Sequence, residues 1–233
     1  MALVIAVATT KGGAGKTTMA ILLAGEFAQS GLRVKILDTD PQGSAVQWAD
    51  KSKVNGTELS GIVVDVPGFD ENALAEQLNS DDEADVFIVD LQGTANQALA
   101  VAVSNADLVL IPTQGSLLDA TQALKVVQFL KAIAGKGLQT PYRIVLNRVS
   151  GIETRMRAFV EAVQFLIERK LNMTTTYIRD RPLYRHMTNG HGTLYDLDET
   201  DAVMSARGNA HDLVAELIDV IKQHRQEAAH AGR

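Results

Sequence analysis

The chain has 233 residues, is 46% hydrophobic and carries a formal net charge of −6, which suits one α/β domain of roughly 200–250 residues with a real core. It has no cysteine, which excludes disulfides, thiolate metal sites, iron–sulfur clusters and cysteine nucleophiles. No apolar run approaches the roughly 20 residues of a membrane span, so a cytoplasmic protein is expected.

In chain order, 3–8 (LVIAVA) reads as a buried strand rather than a signal peptide, because no basic region precedes it. A helix is expected over 17–29, with Gly31 near its stop. A strand follows at 33–38, a helix at 44–53, a short strand at 61–66 and a helix near 70–79. Buried strands at 84–91 and 106–113 bracket a helix near 95–104. Then come a long helix at 117–135, a strand at 142–149, a helix at 153–171, a short strand at 174–178 and a last helix within 201–223. The polar, alanine-rich tail 226–233 is expected to fray from a single domain spanning 1–225. Alternating strands and helices with continuously apolar strands imply an α/β fold, a mostly parallel twisted sheet with helices on both faces. Ligands bind such sheets at the C-terminal strand ends.

Three strand ends carry chemistry. The first is VATTKGGAGKTT, 7–18, which ends in the Gly-Lys-Thr of a phosphate-binding loop but has Thr10 at the first glycine position and an additional lysine, Lys11. Gly12, Gly13 and Gly15 let backbone N–H groups converge on phosphate oxygens. Lys16 would neutralise the β- and γ-phosphates, and the Thr17 hydroxyl would ligate Mg²⁺. The second is LDTDPQGS, where Asp38 and Asp40 are expected on opposite faces, so that one carboxylate holds a water at the phosphate site; an Asp-Pro turn is the simpler reading. The third is FIVDLQG, where Asp90 would reach Mg²⁺ through water and Gly93 would admit a γ-phosphate.

KGGAGKTT, LDTDPQGS, FIVDLQG, ADLVLIPT and IVLNR together resemble the ParA family of partition ATPases, in the deviant Walker A P-loop group that includes MinD, over essentially the whole chain. The resemblance implies ATP and Mg²⁺ as cofactors and an ATP-sandwich homodimer in which Lys11 crosses to the partner's nucleotide. It implies that Lys11, Gly12, Gly13, Ala14, Gly15, Lys16, Thr17 and Thr18 bind ATP. Asp40 matches the residue that positions the hydrolytic water and stands near the metal with Thr17 and Asp90. Asn147 matches an adenine contact, although a strand-ending asparagine also caps or turns. Pro182, in IRDRPLYRHM, lies in an adenine-side loop and helix. Gln92 departs from the family's usual proline. The loop begins ten residues into the chain, which leaves no room for an N-terminal helix-turn-helix domain and suggests the small, ParF-like subgroup.

That subgroup implies sequence-independent DNA binding by the ATP dimer, association with the nucleoid, a ParB-like adaptor that stimulates slow hydrolysis, and no membrane. Residues 1–116 hold 6 Lys/Arg against 15 Asp/Glu, whereas 143–185 hold 9 against 4. By charge alone the latter is an ordinary solvated face. The resemblance makes Arg155, Arg157, Arg169, Lys170, Arg207, Lys222 and Arg225 candidates for DNA phosphates. Two rival readings are a MinD-like membrane-associated ATPase and a P-loop metabolic ligase of the dethiobiotin-synthetase type. The former needs a C-terminal amphipathic membrane helix, but Leu213, Val214, Leu217, Ile218 and Ile221 read as a core face.

Overall fold

A computed structural model describes residues 2–67, 71–79, 84–92, 97–134 and 140–231. Six strands, β1 (Leu3–Val7), β2 (Val34–Asp38), β3 (Ile62–Asp65), β4 (Val86–Asp90), β5 (Leu108–Thr113) and β6 (Tyr142–Leu146), pair in the order β3-β2-β4-β1-β5-β6, every pair parallel. The helices are α1 (Lys16–Gln29), α2 (Ser44–Val54), α3 (Glu71–Asn79), α4 (Gln97–Asn105), α5 (Leu117–Ala134), α6 (Arg157–Glu168), α7 (Pro182–Thr188) and α8 (Asp201–Ala231).

The strand period of two sorts side chains into two cores. Ile5, Val7, Ile36, Ile88 and Leu110 pack with Met19, Leu23, Trp48, Met187 and Leu213, so α1, α2, α7 and α8 cover one face. Val4, Ala6, Phe87, Val89 and Ile111 pack with Leu74, Leu99, Val126 and Leu166, so α3–α6 cover the other. Burial on both faces explains why β1 and β5 read as unbroken apolar runs and β4 as one up to Asp90. β1 lies between β4 and β5, which sets the loop after β1 among the C-terminal ends of three neighbouring strands.

Three expected elements differ. The helix at 153–171 starts late. A 3-10 turn at Glu153–Arg155 comes first, Met156 is extended, and α6 runs only from Arg157 to Glu168. Ser150 and Glu153 explain the break: Glu153 N donates to Ser150 Oγ at 3.1 Å and Ser150 N to Glu153 Oε2 at 3.4 Å, a reciprocal cap that closes the short turn on itself. Lys170, with φ of 53°, then turns the chain out of α6.

The stretch 174–178 is not a strand; only single bridges, Ile144 to Met173 and Val149 to Arg179, flank it. Glu216 of α8 takes the donors a ladder would use. Thr175 N and Thr176 N donate to its carboxylate at 2.7 and 2.9 Å, and Thr175 Oγ1 at 3.0 Å. Burial alone would raise the Glu216 carboxyl, but these hydrogen bonds outweigh it and hold it below the ordinary glutamate value. A depressed carboxyl stabilises the fold above its unfolded value and loses that contribution as pH falls through the folded one. Glu216→Gln is therefore expected to cost about 1 kcal/mol at neutral pH, allowing for solvent screening. The difference between urea melts of the two proteins should shrink as pH falls below the ordinary glutamate range.

The tail expected to fray is helical through Ala231. Alanine, glutamine and glutamate favour helix, and Gln223 Nε2 donates to Glu227 Oε1 one turn on, at 3.2 Å.

Candidate nucleotide site

Residues 8–15 carry the chain from β1 into α1. Gly13 and Gly15 have φ of +81° and +92°, in the left-handed region that glycine enters without strain. Gly15 is also crowded, since a Cβ there would lie 2.2 Å from Asn147 Nδ2. That amide donates to the Ala14 carbonyl at 3.0 Å, and Asn147 Oδ1 accepts from Arg148 N at 2.9 Å. Asn147 is 2% exposed, so its polar atoms brace the phosphate loop from the end of β6.

The loop opens onto a cleft of about 360 Å³ lined by Gly12, Gly13, Gly15, Lys16, Thr17, Thr18, Asp40, Gln42, Ser44, Trp48, Arg148 and Thr188, among others. Lys16 is 8% exposed, at the first turn of α1 where the helix N-terminus favours anions. Thr17 Oγ1 donates to Asp90 Oδ2 at 2.6 Å. Asp90 is buried, and among the described residues its Oδ1 has no hydrogen-bond partner. Burial pushes its carboxyl up to about 7, the Thr17 hydrogen bond opposes this, and the Asp38 charge adds to it. A hydroxyl beside an unsatisfied carboxylate oxygen is an all-oxygen donor set that suits Mg²⁺.

The two aspartates after β2 part for a reason other than the one expected. Side chains two apart share a face of an extended strand, but β2 ends at Asp38. Asp38 is buried and accepts from Ala45 N and Val46 N at 2.7 and 3.3 Å, which anchors the start of α2. Asp40 lies in the turn that follows, its Oδ1 accepting from Gln42 N at 3.0 Å, and lines the cleft. Thr39 ties this turn to β4, its N and Oγ1 donating to the Asp90 carbonyl at 3.0 and 3.1 Å. Gln92 N donates to Thr39 Oγ1 at 3.3 Å. Gly93 lies outside the described residues.

Lys11 behaves unlike Lys16. It is absent from the cleft lining, and its Nζ makes an ion pair with Asp119 Oδ1 at 2.7 Å, in the first turn of α5. Thr10, at the missing glycine position, donates to Gln122 Oε1 at 2.8 Å, so this departure from the usual loop also docks on α5. Pro182 is exposed at the first position of α7, where its lack of an N–H costs nothing.

A model of the CobQ/CobB/MinD/ParA nucleotide binding domain matches residues 5–190. Protein ParA of Rhizobium radiobacter is 32% identical over 210 residues, covering 87% of this chain and 90% of its own. The chain belongs to the ParA family. Another relative of this ParA-family chain, the maintenance of carboxysome distribution protein A of Gloeobacter kilaueensis, is 34% identical over 177 residues, 76% of each chain. The ATP complex of a variant of Cyanothece McdA shares the fold, with a TM-score of 0.74 over 93% of this chain and 96% of its own, at 17% identity. ParA-family proteins are P-loop ATPases, and in this chain Thr17, next to Lys16 at the start of α1, bonds Asp90 at the end of β4.

The basic candidates do not form one set. Arg207 donates to the carbonyls of Leu194, Tyr195 and Leu197, and Arg225 makes two hydrogen bonds to Asp107 at 3.0 and 2.6 Å. Both hold α8 in place. Arg157 pairs with Glu161 at 2.7 Å, and Arg169 lies 3.5 Å over the Phe165 ring. Arg155, Lys170 and Lys222 are exposed.

Trp48, Arg148, Thr188 and Asp119 belong to the site or its rim and were not singled out from sequence. Ser116 and Asp119 carried a readable signal. Their S-x-x-D spacing opens α5 as a helix cap, with Asp119 N donating to Ser116 Oγ at 3.1 Å. The other three reach the cleft only through the tertiary fold.

Proposed function

We propose that this ParA-family ATPase runs a positioning cycle in which ATP joins two copies face to face, the dimer holds DNA without reading its sequence, and a ParB-like adaptor triggers otherwise slow hydrolysis. The observation that carries this reading is the division between the two lysines. Lys16 is buried against its own phosphate cleft, while Lys11 leaves that cleft and stands 42% exposed on the rim. ATP carries about four negative charges, and one lysine, one helix terminus and the two charges of Mg²⁺ leave part of that unmatched within a single copy. Lys11 of one copy supplies the remainder to the other copy's nucleotide.

Within each copy, the N–H groups of the glycine loop and the Lys16 ammonium bind and orient the triphosphate. Thr17 and Asp90 would hold Mg²⁺, which would supply positive charge against that of the phosphates. Asp40 Oδ2 makes no hydrogen bond among the described residues, which leaves it to orient the attacking water. Lys16 in cis and Lys11 in trans stabilise charge on the transferred phosphoryl group. Asn147 acts by fixing the loop, and Pro182 opens α7, whose other end, Thr188, lines the cleft.

The apolar face of α8 packs within the fold. Its apolar residues Leu213, Leu217 and Ile221 are spent on the core. No helix among the described residues is long and apolar enough to cross a membrane. The relatives include a carboxysome distribution protein as well as a ParA, so one cycle serves different cargoes and the adaptor sets which.

The test is a gel shift of random-sequence DNA with a non-hydrolysable ATP, with ADP and without nucleotide. Binding is expected only with the ATP analogue, and should fall by at least about tenfold between 50 and 200 mM salt. Equal binding in all three conditions, or none in any, would reject the DNA step.

A further inference from the structure

β6 is an edge strand of the sheet, and only part of that edge is covered. Ile144 N donates outward to the Asn172 carbonyl at 2.8 Å, and Thr174 N donates to the Ile144 carbonyl at 2.9 Å. Backbone groups two residues apart in a strand face the same way. The N–H and carbonyl of Tyr142, the first residue of β6, therefore face outward as well. The carbonyl accepts from Arg143 Nη1 at 2.9 Å, which holds the guanidinium against the edge. The Tyr142 N–H has no partner among the described residues, and a backbone donor calls for one.

α5 and α8 pass on either side of this edge, and their C-terminal ends leave a cavity of about 360 Å³ beside Tyr142 and Arg143. Leu130, Pro141 and Val220 give it an apolar wall, and Lys131 and His224 stand on its rim. Among the described residues, Glu227 is the one carboxylate of the lining, and it already accepts from Gln223 Nε2 at 3.2 Å. Lys131 and His224 make no hydrogen bond or ion pair among the described residues, and Arg143 makes no ion pair. The C-terminal end of α5 disfavours an anion, and Lys131 in its last turn offsets that. Arg143 is then a cation without a carboxylate of its own, next to an unpaired N–H.

A guanidinium beside a backbone N–H suits a carboxylate, phosphate or sulfonate. The wall suits an apolar body. An added peptide strand does not fit, because Arg143 takes the Tyr142 carbonyl and the edge is covered from Ile144 onward. The cavity shares no lining residue with the nucleotide cleft. Asn147, which braces the phosphate loop, lies about 17 Å along the chain from Tyr142 at roughly 3.3 Å per residue.

We propose that this cavity is a second ligand site, for a small amphiphilic anion. The ligand is an acyl or aryl group ending in a carboxylate or phosphate. Its anionic group rests on Arg143 and the Tyr142 N–H, and its body lies against Leu130, Pro141 and Val220.

The test is a fluorescence titration with anilinonaphthalene sulfonate, while ADP and Mg²⁺ saturate the nucleotide cleft. Phenylnaphthylamine, the same body without the sulfonate, is the uncharged control. The sulfonate should bind saturably, and the control at least about tenfold more weakly. Arg143→Gln should weaken the sulfonate at least about fivefold and leave the control within about twofold. Lys131 is exposed, so Lys131→Gln keeps the fold should Arg143→Gln lose it, and is expected to weaken the sulfonate about two- to threefold. Octanoate and phenyl phosphate are then tried as competitors. Displacement by octanoate supports an acyl carboxylate, and displacement by phenyl phosphate an aryl phosphate.

The proposal is overturned by no saturable binding with ADP present, by equal affinity for the charged and uncharged compounds, or by displacement with neither competitor. Sulfonate affinity unchanged in the folded variants also overturns it. None of these results bears on the ATP cycle, whose residues lie in the other cleft.

Discussion

Lys16→Ala is expected to lose nucleotide affinity by at least about 100-fold, measured by titration of a fluorescent ATP analogue. The size follows from position. Lys16 is buried at the start of α1, facing the cleft that the glycine loop lines. There its ammonium would make two or more charge-assisted hydrogen bonds to phosphate, each contributing about 1.5–3 kcal/mol. Alanine removes them while keeping the best helix propensity, so the fold should survive. A variant that retained affinity within about threefold would remove the phosphate-loop assignment.

The second large effect separates the two lysines. Lys11→Ala should retain nucleotide binding by the monomer within a few-fold, because Lys11 does not line its own cleft. It should lose the ATP-dependent dimer over the micromolar range, and with it the stimulated hydrolysis. Asp119 would lose its charged partner, but the Ser116 hydrogen bond and the start of α5 still stabilise the carboxylate. Thermal melts without nucleotide should therefore stay close to wild type. The contrast between Lys16→Ala, without nucleotide, and Lys11→Ala, with nucleotide but no dimer, is what half a site predicts. Equal loss of monomer binding in both variants would place Lys11 in its own subunit's site.

Most of the fold was legible because its signals were local. Four apolar residues closed by Asp90, VFIVD, can hardly be anything but a strand buried on both sides. The loop was legible for the same reason, since glycines and Gly15-Lys16-Thr17 between a strand and a helix state their own chemistry. What escaped depended on distant partners. The stretch 174–178 has strand-like composition, yet Glu216, some 40 residues on, takes its N–H groups. Asp40 reaches the cleft because the chain leaves β2 at Asp38, a bend that a two-residue period misreads. Arg207 and Arg225 look like free cations in sequence, and become braces only once the carbonyls after Gly192 and the Asp107 carboxylate are set beside α8. Lys11 lay in plain view, but its hold on Asp119 spans 108 positions.

The central claim is that each chain carries half of an ATP site. Its most direct test is the solution mass of the wild-type protein, by light scattering, with a non-hydrolysable ATP and Mg²⁺ and again with ADP and Mg²⁺. The account predicts twice the 25.1 kDa chain mass with the ATP analogue and a single chain mass with ADP. A single chain mass in both, at nucleotide concentrations that saturate binding, would contradict it.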